Sequence, residues 1–163
     1  MRRQPRPRGF TLIEMVVVLA LVGILATAAV PLHELMLRRA QESALRESLR
    51  SLRSAIDAHR QAVETKQIAA GRDGSPYPAT LDVLVRGIPL LDETGQSSTG
   101  RRLYLLRKLP RDPFADAALP AAETWALRSS QSPPDAPAAG SDVFDVHARA
   151  DARAIDGTPY SSW

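Results

Sequence analysis

One segment limits what this chain can become. Phe10 to Val30 is an apolar run whose only charge is Glu14, and Arg2, Arg3, Arg6 and Arg8 crowd the few residues before it. A membrane-spanning helix needs about 20 apolar residues, so the run has the required length. The arginines place the N-terminal side in the cytoplasm and everything after Pro31 across the membrane. Three uses of such a segment are open from these features: a plain anchor, a secretory signal cleaved after Ala26-Thr27-Ala28, or something that also explains Gly9 and Glu14. A carboxylate at membrane depth costs about 2.5 kcal/mol or more, so Glu14 needs a partner.

Composition narrows the function. The chain has 163 residues, one domain's worth plus an appendage, and a multidomain enzyme is excluded. It has no cysteine, which excludes disulfides, thiolate metal sites and cysteine nucleophiles. The formal charge of +3 misleads, because all four leader arginines count toward it. The rest holds one more acid than base and is not a nucleic-acid binder.

Catalytic signatures are weak. His33-Glu34 opens like a zinc-protease helix, but Leu37 stands where the second histidine belongs. Ser75 has no nucleophile-elbow glycines around it. His59, His147, Trp125 and Trp163 read as packing residues. The chain is therefore read as no enzyme.

Leu32 to about Ala70 reads as a second helical stretch. Leu45, Leu49, Leu52, Ile56, His59 and Val63 form one stripe at helical spacing, with charge on the other faces. Continued from Phe10, such a helix would span roughly 90 Å. Pro31 lacks a backbone donor, so a kink or unwound turn near Val30 is expected. Gly71 to Pro78 breaks the helix, Leu81–Val85 is a helical turn, and Asp92–Gly100 is a polar loop. Strands are expected at Leu103–Leu106, Thr124–Ser129 and Val143–Ala148. The fold class is α+β, a long N-terminal helix packed on a small antiparallel sheet. The organisation is 1–9 as leader, 10–31 as transmembrane and polymerisation helix, 32–70 as amphipathic helix and 71–163 as loop-rich sheet domain.

Arg8-Gly9-Phe10-Thr11-Leu12-Ile13-Glu14-Met15 resembles the leader and cleavage site of type IV prepilins and type II secretion pseudopilins. The resemblance implies cleavage after Gly9 by prepilin peptidase and methylation of the new amine at Phe10. It also implies a neutralising contact between Glu14 and the Phe10 amine of a neighbouring copy. Towards the C-terminus, Leu106 to Phe114, Trp125, Gly140 to Val146, Asp156 to Tyr160 and Trp163 resemble the globular domain of G-type pseudopilins.

These likenesses imply a pilin-like fold and a structural subunit of a type II secretion pseudopilus. The subunit would lie in the inner membrane with its globular domain periplasmic. Its partners would be prepilin peptidase, copies of itself, other pseudopilins and the inner-membrane secretion platform. A minor pilin of a type IV pilus or competence system is the alternative within the fold. A periplasmic binding domain released by signal peptidase is the alternative outside it.

The G-type likeness also implies calcium near the C-terminus, where Asp142, Asp145, Asp151 and Asp156 cluster in sequence; Asp151 and Asp156 are the candidate ligands. Arg149 and Arg153 oppose a cation there.

Overall fold

The computed structural model describes residues 9–150 and 152–163. A 53-residue helix, α1 (Leu12–Glu64), dominates it. Two compact units divide the chain at Ala40/Gln41. In the first, every described residue from Gly9 to Thr27 and from Pro31 to Ala40 is exposed. Pro31 lies inside α1, which continues as helix through it.

The second unit is built on the remainder of α1. Leu45, Leu49, Leu52 and Ile56 are buried, as the stripe predicts. Each such side chain contributes about 2 kcal/mol by leaving water. They pack with Trp125, Val143, Val146 and Tyr160 in one cluster. His59 is buried too, its Nδ1 2.8 Å from the Pro76 carbonyl, which ties α1 to the following loop. Burial lowers the His59 pKa, and the Pro76 carbonyl partly offsets this.

α1 stops at Glu64 rather than near Ala70. Lys66 turns left-handed (φ 56). Its N–H reaches the Val63 carbonyl, and the Gln67 N–H reaches that of Ala62 at 2.8 Å. That double closure is a Schellman cap, here without its usual glycine. Ile68 then enters a second small core with Ala62 and Ile88.

The remaining elements are α2 (Val83–Arg86), β1 (Ile88–Leu91), β2 (Ser97–Leu103), β3 (Trp125–Arg128) and β4 (Asp145–Ala148). They form two antiparallel pairs, β1–β2 and β3–β4. The α+β class holds, with a helix on small antiparallel sheets. The expected strand at Leu103–Leu106 is displaced: β2 ends at Leu103, because the Leu105 and Leu106 N–H groups turn to the Leu84 carbonyl. The expected loop over Asp92–Gly100 is half strand. Asp92 to Gln96 forms the turn, and Ser97 onward pairs with β1 through an irregular register.

Long-range polar contacts lock this unit. The Arg53 Nε donates to Asp145 Oδ1 at 2.8 Å, and its Nη2 donates to the Val146 and Trp163 carbonyls. Phe114 stacks on Tyr160 at 4.5 Å, and Trp163 meets Tyr160 edge-on at 5.1 Å.

Candidate assembly site

The sequence singles out Gly9, Phe10, Glu14 and Pro31 at one end of the chain. Gly9, Phe10 and Thr11 precede the helix, and Leu12 begins it. The Thr11 carbonyl accepts the Met15 N–H at 3.2 Å, and the Thr11 hydroxyl oxygen accepts the Glu14 N–H at 3.3 Å. Thr11 is thus the N-cap and Glu14 the third helical residue, the two ends of a capping-box sequence. A carboxylate in the first turn also faces the positive end of the helix dipole. The role of Thr11 escaped the sequence reading, although Thr-x-x-Glu ahead of an apolar run was its signal.

Beyond the cap, α1 offers an uncovered apolar surface. Its most apolar 18-residue window has a mean hydropathy of 2.6, and none of that window is buried. Phe10 is 74% exposed and Leu12 83%. The surface does not end with the run: Leu32, Leu35, Met36 and Leu37 are exposed on the far side of Pro31. The Thr27 hydroxyl donates to the Ile24 carbonyl at 2.7 Å, which hides its polarity. Gly23 has nothing within 4 Å of where a Cβ would stand. Nothing within the chain requires glycine there. This stretch is long and apolar enough to cross a membrane and leaves its surface for lipid or other chains.

Among the described residues, Asp142, Asp145 and Asp156 have separate partners. Asp156 Oδ1 accepts the Thr158 N–H and hydroxyl, at 2.9 and 2.6 Å, and Oδ2 lies 3.9 Å from Arg46. The Thr158 contacts, with lesser help from Arg46, hold its pKa below the ordinary carboxylate value. Asp145 pairs with Arg53. Asp142 is buried and accepts from the Ser75, Ser129 and Ser130 hydroxyls at 2.6, 2.7 and 2.6 Å and from the Ser130 N–H at 2.9 Å. Among the described residues, no three acids or histidines converge as a metal cage would need. The partners of Asp156 are donors and a cation, whereas calcium requires oxygen acceptors. Asp151 lies outside the described residues.

With this geometry in place, residues 5–30 match the family described as the prokaryotic N-terminal methylation motif. The chain carries a prepilin-type N-terminus. It is also similar to the type IV major pilin protein PilA of Myxococcus xanthus (strain DK1622), 43% identical over 54 residues. That alignment covers 33% of this chain and 24% of the relative, so the chain spans about a quarter of the protein it matches. No solved structure matches the chain.

A prepilin-type N-terminus explains the unusual parts together. The motif covers the glycine, the capped start and the uncovered apolar helix. The residues of the C-terminal resemblance have a different job. Trp125 donates its indole N–H to the Pro110 carbonyl at 3.0 Å, Phe114 stacks on Tyr160, and Val143 and Val146 are core. They hold the globular unit together.

Proposed function

We propose that the chain is a non-enzymatic subunit of a type II secretion pseudopilus. Prepilin peptidase cleaves it after Gly9 and methylates the Phe10 amine. The apolar helix then packs with copies of itself and with other pseudopilins on the inner-membrane platform, while the globular unit lies in the periplasm. Glu14 meets the Phe10 amine of the next copy, which neutralises both charges in a dry environment. Pro31 gives the helix a weak point at which to loosen in the fibre. The observation that carries this reading is the motif at residues 5–30 running into a helix with no buried residue in its apolar window.

Mass spectrometry of the membrane-extracted chain tests it. A mature chain beginning at N-methylated Phe10 is expected, and Gly9→Asp should abolish that cleavage. A chain beginning at Ala29 would establish instead a periplasmic domain released by signal peptidase.

The likeness to a type IV major pilin favours a second reading, a pilin of a type IV pilus. Deleting the gene separates the two systems. Loss of protein export with surface fibres intact supports secretion; loss of fibres with export intact supports the pilus.

A further inference from the structure

β3 has one edge that the chain leaves open. Backbone N–H and carbonyl groups of successive residues point to opposite sides of a strand. The Arg128 carbonyl accepts the Phe144 N–H at 2.8 Å, so Arg128, and with it Ala126, faces β4. Leu127 and Ser129 therefore face outward. Val146, opposite Leu127 in the register, agrees: its N–H goes to Asp145 Oδ1 and its carbonyl to Arg53, not back to β3. On the outer edge the Ser129 N–H donates to the Ala138 carbonyl at 2.9 Å. The Leu127 N–H and carbonyl have no partner among the described residues.

A groove of about 560 Å³ runs along this edge. Trp125, Ala126 and Leu127 all line it. Alternate side chains point to opposite faces, so three consecutive residues share a groove at a strand's edge and not on one face. Ala139 lines it as well, which places it on the side where Ala138 meets Ser129. Leu81 lines it from outside the sheet.

The occupant follows from what the edge lacks. The charged lining is Asp82, Glu123 and Arg149, with Arg86 lying 3.9 Å from Asp82, so the charges cancel and select no ion. Leu127 offers a donor and an acceptor from one residue, which a residue of an opposite strand completes by exchanging both bonds. A second copy has little to supply. Pro110, Pro113 and Pro120 interrupt its loop 104–120, and Pro133, Pro134 and Pro137 its loop 129–144, and proline has no backbone donor.

We propose that this groove takes an extended peptide segment of another protein, which pairs with Leu127 as an added strand. Main-chain bonds supply the affinity in such a contact, and the groove decides which side chains fit. The site goes beyond the subunit reading and holds for either kind of fibre.

The probe is an acetylated and amidated Thr-Val-Thr-Val-Thr peptide, added at millimolar concentration to the full chain in micelles. Amide exchange followed by NMR should slow about tenfold or more at Leu127, the value of one added hydrogen bond, and stay unchanged at Ala126, which already faces β4. Leu127→Pro removes only the outward N–H and leaves the β3–β4 bonds in place. Ala139→Trp fills the groove without altering β3. Each variant should weaken binding of the labelled peptide, measured by anisotropy, by about tenfold. Undiminished binding to Ala139→Trp, or to a folded Leu127→Pro, would overturn the proposal. So would a peptide that leaves Leu127 exchange unchanged. Slow exchange at Leu127 before any peptide is added would mean that another copy fills the edge, and would overturn it too.

Discussion

The Tyr160 hydroxyl donates to Glu42 Oε1 at 3.0 Å in a buried site, across 118 residues of chain. The same oxygen accepts the Ile155 N–H at 2.8 Å. One carboxylate on α1 thus gathers the last stretch of chain. Tyr160→Phe should lower stability by about 1.5 kcal/mol, the value of a hydrogen bond to a charged group. Glu42→Ala should cost about 3 kcal/mol, because it removes two hydrogen bonds to a charged group. Denaturant unfolding of the chain in micelles, followed by Trp125 and Trp163 fluorescence, measures both. Equal losses for the two variants would mean that Ile155 draws nothing from Glu42.

Asp142 links acid stability to three serines. Burial disfavours its charge, but the Ser130, Ser75 and Ser129 hydroxyls and the Ser130 N–H outweigh this and bring its pKa down from 3.8 to about 2. A depressed carboxyl stabilises the fold fully above its unfolded value and loses that contribution as pH falls through the folded one. About 2 kcal/mol should therefore vanish between pH 4 and pH 2. Asp142→Asn should be less stable at pH 7 and should flatten this part of the pH–stability curve. An unchanged slope would assign the acid sensitivity to other groups.

Lys66 closes α1 in a left-handed conformation at φ 56. A side chain there costs about 1 kcal/mol relative to glycine. Lys66→Gly should therefore raise stability by about 0.5–1 kcal/mol, and Lys66→Val should lower it by more than Lys66→Ala does. Melting temperatures of the three variants order the series.

Gly87 is constrained twice, by a φ of +83 and by the Tyr104 ring, 2.6 Å from where a Cβ would stand. Gly87→Ala should cost about 2 kcal/mol or more. In the background of Tyr104→Ala the steric share disappears and the conformational share of about 1 kcal/mol remains. A double-mutant cycle by denaturation reads the coupling; additivity would show that the ring simply swings aside.

How much of this could be read from the sequence depends on the kind of signal. Leu45, Leu49, Leu52 and Ile56 repeat every three or four residues, so the packed face of α1 was visible in advance. The strands expected at Thr124–Ser129 and Val143–Ala148, short aromatic or β-branched runs between turns, contain the observed Trp125–Arg128 and Asp145–Ala148. Ser97–Leu103 was not, because Ser-Ser-Thr-Gly-Arg-Arg has no alternation; pairing with β1 makes it a strand. Asp142 was legible only as one acid among several. Its serines stand at 75, 129 and 130, a spacing with no local pattern, and only the fold assembles them. At the other end, Gly9, Phe10 and Glu14 were legible as a contiguous motif, which requires no folding to be recognised.

Pro31 carries one further consequence. It lies inside α1 without an N–H, so the carbonyl four residues earlier, that of Thr27, loses its helical donor. An unmatched carbonyl in hydrocarbon costs several kcal/mol, while among headgroups water completes it. In the membrane-crossing helix proposed above, the proline would therefore act as a depth gauge. It would draw Thr27 toward the wetted boundary and leave Leu12 to Ala26, about 22 Å of helix, as the length matched to hydrocarbon. Elevation in the bilayer would then be set by one missing hydrogen, while the apolar side chains that continue to Leu37 would by themselves let the helix ride deeper.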